Sequence, residues 1–134
     1  MIFPDGIKIY GDPAYRGKCN PESAEQVTFF NHLRHQYPDT YGRIAIHPRN
    51  EGNRHYAQTV RYKMEGMTKS ASDIIIPGSQ TFVCEMKRKN HTLSRWEDGQ
   101  IEYLEAAKTA GAFVCIALGF EAAWEAFLDW KRSQ

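Results

Sequence analysis

Ser72-Asp73-Ile74-Ile75-Ile76-Pro77-Gly78-Ser79-Gln80-Thr81-Phe82-Val83-Cys84-Glu85-Met86-Lys87 is the stretch on which the reading of this chain turns. Its two arms are rich in β-branched and aromatic residues, and Pro77-Gly78-Ser79-Gln80 between them is turn chemistry, so the stretch predicts a β-hairpin. Folding back at that turn brings Asp73 opposite, or nearly opposite, Cys84 and Glu85. The two-residue period of a strand puts Glu85 and Lys87 on one face. Two carboxylates and an ammonium therefore converge where a buried hairpin would carry apolar side chains.

Carboxylates held that close repel one another and lose hydration, which a cation between them would offset. Aspartate and glutamate oxygens suit hard Mg²⁺ or Mn²⁺, which take one or two carboxylates and keep positions for water and a phosphate oxygen. Asp73 and Glu85 are the candidate ligands, joined by the backbone carbonyl of Met86, which lies between the two functional side chains. Lys87 would face the same phosphate. The alternative is an ordinary ion pair of Asp73 or Glu85 with Lys87 at an exposed hairpin end.

Around the hairpin, Ser23 with Gln26 has the form of a capping box and predicts a helix to about His35 or Gln36, with Phe29, Phe30 and Leu33 inward. Glu25 lies one turn before Phe29. It can point along the core edge toward the metal, or serve as a favourable acid in the helix's first turn. Arg43 to His47 alternates like a short strand, and Asn53 to Glu65 reads as at least partly helical with a thin apolar face. Ser94-Arg95-Trp96-Glu97 has the form of a second capping box, predicting a helix to Thr109 that ends at Gly111. Trp96, Gln100, Leu104 and Ala107 would share its inward face, where the Gln100 amide needs a partner. Ala112 to Leu118 is a buried strand, and Phe120, Trp124, Phe127 and Leu128 form the stripe of a closing helix.

These features, in this order, resemble the PD-(D/E)xK nuclease superfamily, and within it the VRR-NUC branch of virus-type replication and repair nucleases. The residues that carry the resemblance are Glu25-Gln26, Arg49-Asn50-Glu51-Gly52, Gly66 to Asp73, Glu85-x-Lys87, Ser94 with Gln100, and the strand from Gly111 to Leu118. One departure is Ala71-Ser72 before the aspartate, where relatives often show Gly-x-Pro; here the proline, Pro77, follows it. The resemblance implies an α/β, restriction-endonuclease-like fold with a mixed β-sheet flanked by helices in the order αβ(α)ββαβα. The first twenty residues read as the only plausible appendage, an N-terminal extension over residues 1–20, and residues 21–134 as the nuclease domain that the resemblance implies. The resemblance further implies a metal-dependent endonuclease that cuts phosphodiester bonds, with Gln100 ordering the site or its water and Glu25 holding a second metal through water. Stand-alone viral and bacterial members are associated with branched DNA, which points to a four-way junction or similar substrate in replication, recombination or repair. A restriction-like or general DNA-processing nuclease, or a catalytically silent binding module, are the alternatives.

Composition agrees with these limits. The chain's 134 residues make one domain, small for gripping DNA on two sides, so a homodimer is expected, with Tyr10, Tyr15, Trp96 and Trp130 as aromatic surface for the contact. A formal charge of +1 hides a basic middle. Arg49, Asn50, Arg54 and Lys69, with Arg88 and Lys89 after the hairpin, are the candidate DNA contacts; a merely solvated charged face is the alternative. Three scattered cysteines form no metal spacing or disulfide framework, and Cys84 and Cys115 read as core residues. His32, His35, His47, His55 and His91 show no ligand spacing, although His47 and His91 lie nearest the hairpin. No signal peptide or membrane span is evident, which points to a reduced, intracellular setting; the resemblance implies the cytoplasm of a bacterial cell or phage-infected host.

Overall fold

A computed structural model describes residues 1–49 and 55–134. The elements are β1 (Lys8–Tyr10), α1 (Glu22–Gln36), α2 (Tyr41–Ile44), α3 (Tyr56–Met64), β2 (Ile74–Ile76), β3 (Phe82–Lys87), α4 (Gln100–Thr109), β4 (Phe113–Leu118) and α5 (Phe120–Arg132), with a 3-10 turn at His91–Leu93. The four strands form one mixed sheet in the order β1-β4-β3-β2. Strands β2 and β3 are the expected antiparallel hairpin, whereas β3 and β4 run parallel through the crossover helix α4, and β1 runs parallel to β4. This is the expected class, a mixed sheet flanked by helices.

The two-residue period of β3 sorts its side chains between two cores. Phe82, Cys84 and Met86 face α1 and α5, packing with Phe29, Phe30, Leu33, Ala126, Phe127 and Trp130. Val83 faces α4, packing with Leu104, Ile116 and Leu118. Each large side chain buried in this way contributes about 1.5–3 kcal/mol. The same alternation sends Glu85 and Lys87 to the α4 face, beyond the end of the apolar packing. Cys84 and Cys115 are neighbours in register and wholly buried, as core residues.

Several expectations are corrected. Helix α1 starts at Glu22 with Pro21 as its N-cap, and no side chain caps it. Ser23 is thus inside the first turn, because the fixed φ of proline already sets the helix entry. Arg43 to His47 is not a strand: Tyr41–Ile44 is a short helical turn, and Ile46 alone bridges β2, at Ile75. Gly42 shows why, since a Cβ there would stand 2.6 Å from the Tyr37 carbonyl oxygen, so only glycine lets this turn press against the end of α1. Helix α3 lies within the expected span but buries no residue.

Helix α4 begins at Gln100 with Gly99 at φ 88° as its N-cap, five residues later than the Ser94 cap that the second capping box suggests. The Ser94 hydroxyl is already engaged, accepting the Arg88 N–H at 2.9 Å, so it cannot cap a helix. The buried side of α5 is centred on Ala123, Ala126, Phe127 and Trp130, with Phe120, Trp124 and Leu128 only partly covered. Trp130 and Tyr10, expected as dimer surface, are 0% and 3% exposed. Residues 1–20 are more than an appendage, because Lys8–Tyr10 form β1 and both Ile7 and Tyr10 are buried. No helix among the described residues is long and apolar enough to cross a membrane.

Candidate active site

The hairpin register pairs Ile74 with Cys84, which sets Asp73, one residue before β2, across from Glu85. Strand β2 has ended there, and Asp73 Oδ2 takes over the ladder by accepting the Met86 N–H at 2.9 Å. The Asp73 carbonyl accepts from His47 Nδ1 at 2.8 Å, so the residue is held at both ends. A residue's N–H and C=O leave a strand on the same side. Lys87, the next residue, gives its carbonyl to Gly119 on the β4 side, so the Met86 carbonyl faces the Asp73 side.

Glu85 is 1% exposed. Its Oε1 accepts from Gln100 Nε2 at 3.0 Å and lies 3.8 Å from Lys87 Nζ, while its Oε2 is buried without a donor. Burial pushes the Glu85 carboxyl well above the usual carboxylate range, and the negative charge of Asp73 pushes it further. Burial also raises Asp73, against the Met86 N–H and a hydrogen bond to Glu85 that lower it. A proton between the two carboxyls relieves their repulsion when no cation is present; with both ionised, Glu85 Oε2 has nothing to bind.

Lys87 Nζ donates to the Arg95 carbonyl at 2.8 Å and to Gln100 Oε1 at 3.0 Å, and it sits 4.6 Å from the centroid of the Trp96 ring. This explains the extended segment before α4: a helix from Ser94 would turn the Arg95 carbonyl along its own axis, away from the ammonium. Gln100 joins the two functional groups, because it receives Lys87 and the Glu97 N–H on its oxygen and gives its NH₂ to Glu85. It is a satisfied amide that fixes both side chains.

The sequence reading missed Glu22. Its Oε1 lies 3.9 Å from Lys87 Nζ and its Oε2 3.4 Å from the Ser94 hydroxyl. Burial raises its pKa, countered first by Lys87 and increased by the charge of Asp73. Glu25 is elsewhere: its Oε2 accepts the Phe120 N–H at 2.8 Å and its Oε1 the Asn20 amide at 3.3 Å, so it caps the start of α5. The acids are three apart on one helix, and only the phase of α1 separates the residue facing Lys87 from the residue facing α5. Glu25→Ala is therefore expected to lower stability by about 1 kcal/mol, as for a lost helix cap, and with it the melting temperature, without reducing any activity of the site. Glu22→Gln should do the reverse. Thermal melts beside activity measurements on both variants decide it.

The proposed nucleic-acid contacts divide. Arg49 and Lys69 are exposed. Lys69 lines a cavity of about 860 Å³ with Lys63, Ser70 and Gly99, beside the first turn of α4. Lys89 is exposed and rests 4.6 Å over the Tyr15 ring. Arg88 is committed inward, its guanidinium donating to the Cys19 carbonyl at 2.8 Å and the Asn20 carbonyl at 3.2 Å. Asn50 and Arg54 fall outside the described residues. His91 is buried against the N-terminal segment, its Nε2 2.9 Å from the Pro13 carbonyl oxygen, away from the carboxylates.

Among the described residues no three His, Cys, Asp or Glu side chains gather as a metal cluster. Mg²⁺ does not need such a cluster, since one or two carboxylates suffice. Asp73, the orphaned Glu85 oxygen and the Met86 carbonyl make an all-oxygen donor set that fits a hard divalent ion.

No family model matches the chain, and no curated protein does. A solved structure described as a "VRR_NUC domain protein" aligns with a TM-score of 0.65, covering 88% of this chain and 92% of that one at 17% identity. The chain has the VRR-NUC fold. At that identity the likeness concerns the fold, a restriction-endonuclease-like mixed sheet with flanking helices. Within the VRR-NUC fold of this chain, Asp73 before β2, Glu85 and Lys87 on β3, and Gln100 at the start of α4 come together at one end of the β2–β3 hairpin.

Proposed function

We propose that the protein is a DNA endonuclease that uses Mg²⁺ or Mn²⁺ to hydrolyse phosphodiester bonds, with branched DNA as its substrate. The observation that carries this reading is the buried Glu85 beside a half-buried, repelling Asp73, with one Glu85 oxygen lacking any donor and a fully anchored lysine alongside. An ordinary surface ion pair does not fit a glutamate and a lysine that are both 2% exposed in their side chains. Asp73, Glu85 and the Met86 carbonyl would hold the ion, which when bound supplies Lewis-acid polarisation of the phosphate and lowers the pKa of a water.

The chain's own groups do the rest. Lys87, fixed by the Arg95 carbonyl and Gln100, presents positive charge where the transition state gains negative charge, with no reorganisation at the moment of reaction. Gln100 keeps Glu85 Oε1 turned toward Lys87, which leaves Oε2 for the ion. Glu22, across Lys87, takes the supporting role expected of Glu25 and can accept a proton from an attacking water. Arg49, Lys69 and Lys89 would contact the backbone of the DNA. A two-fold branched substrate suits a homodimer that places one site on each strand, and activity on DNA would set the protein to work in the cytoplasm.

The test is a cleavage assay on four-way junction, flap, single-stranded and linear duplex DNA with Mg²⁺, Mn²⁺ or EDTA. Junction cleavage at symmetric paired positions that EDTA abolishes is the expected result. Cleavage of all substrates at equal rates would favour a general DNA-processing nuclease, and binding without cleavage in either metal would leave a silent binding module.

A further inference from the structure

Helix α1 carries a second functional surface beyond its acidic first turn. Gln26, Val27, Phe30, Asn31 and Arg34 line one side of the helix and, with His47 opposite, enclose a groove of about 310 Å³. The groove is tied to the site at both of its edges. Gln26 lies four residues, about 6 Å along the axis, beyond Glu22, and His47 donates to the carbonyl of Asp73 at 2.8 Å.

Its chemistry is mixed in a definite way. The Gln26 and Asn31 amides have no hydrogen-bond partner among the described residues. Val27, 59% exposed, gives the groove an apolar wall. The Arg34 guanidinium lies over the Phe30 ring at 5.2 Å, which keeps its plane in place beside the groove. Amides without partners offer paired donors and acceptors for the edge of a base, and an apolar wall with an arginine plane offers its face a place to stack. A phosphate alone would use neither the amides' acceptors nor Val27.

We infer that this groove takes the base of an unpaired nucleotide adjoining the phosphate to be cut, so that the strand is gripped by its base as well as its backbone. The inference rests on the nuclease reading for its register, and names a nucleobase, adenine best, as the ligand, because Asn and Gln amides match the N6 and N7 edge of adenine.

Two measurements test it. In the first, ¹⁵N-labelled protein in EDTA is titrated with an adenine-centred DNA trinucleotide and with its counterpart abasic at the centre. The side-chain amide resonances of Gln26 and Asn31 should move with the first and stay still with the second. In the second, a branched DNA carries either adenine or an abasic residue beside the mapped cut. The wild type should favour adenine by about tenfold or more, and Gln26→Ala/Asn31→Ala should bring that ratio to within about twofold. Equal shifts with both trinucleotides, or silent amides, overturn the inference even if the protein cuts DNA. Base-dependent shifts with a ratio the double variant leaves untouched overturn the assigned register. Base-dependent shifts in a protein that cuts nothing would retain the base site and remove the nuclease reading.

Discussion

Asp73→Asn, Glu85→Gln and Lys87→Met are each expected to reduce DNA cleavage by at least about a hundredfold, near 3 kcal/mol of transition-state stabilisation. Each keeps the shape of the side chain, so the fold should survive. In Asp73→Asn the amide oxygen can still accept the Met86 N–H, as Asp73 Oδ2 does at 2.9 Å. In Glu85→Gln the side-chain oxygen can still accept from Gln100, and in Lys87→Met the thioether chain fills the space of a lysine that is 2% exposed. Methionine is the better probe than alanine there, because a cavity beneath Trp96 would confuse lost chemistry with lost packing. Circular dichroism and DNA anisotropy should remain near wild type while turnover falls. Wild-type turnover in any one of the folded variants would sink the assignment of the site.

The second large effect is on stability, and its sign follows from the two carboxyls. Both Asp73 and Glu85 have pKa values raised mainly by burial, so the folded protein holds protons more tightly than the unfolded chain. That contribution is full below the unfolded carboxylate range, about pH 4, and is lost as pH rises through the raised folded values. In EDTA the melting temperature should therefore fall as pH rises from the acid side through neutrality. Mn²⁺ should restore it at the high end of this range, by binding the folded state in place of the proton. Asp73→Asn should flatten the pH dependence in EDTA, melt above wild type at pH 8, and gain less from Mn²⁺. For a chain of this size about 1 kcal/mol corresponds to roughly 3–5 °C. A melting temperature independent of pH and metal in the wild type would mean that the carboxylates are not a cation site.

The hairpin was legible because its signals are local: a turn, two β-rich arms and a period of two suffice to put Asp73 across from Glu85 with Lys87 on the same face. The helix starts were not, because a capping box is only a pattern until its hydroxyl is known to be unengaged. Ser94 has the pattern, yet tertiary contacts with Arg88 and Glu22 occupy its hydroxyl, and Lys87 draws the Arg95 carbonyl out of any helix. Glu25 and Glu22 show the same limit in a different form. Both are acids in the first turn of α1, and the choice between them depends on how the helix is rotated against α5 and β3, which periodicity over Phe29, Phe30 and Leu33 does not resolve to one residue. Trp130 was read as aromatic surface for a dimer, but its indole N–H reaches the Gln80 carbonyl at 2.6 Å across the mouth of the hairpin. The fold class survived these errors because it depends on the order of the strands and the crossover helix, whereas the supporting residues of the site depend on side-chain directions.

Strand β1 gives the molecule a boundary that the functional residues alone would not suggest. Lys8–Tyr10 pair with Cys115, Ile116 and Ala117 along the open side of β4. Without them, a row of β4 backbone groups would lose its partners and become a template for another chain. The β2–β3 hairpin sits on the far side of the sheet, two strands away, so a shortened protein beginning at Pro21 would keep every residue of the proposed chemistry and yet be prone to join its neighbours edge to edge. The segment before α1 thus acts as a guard on solubility.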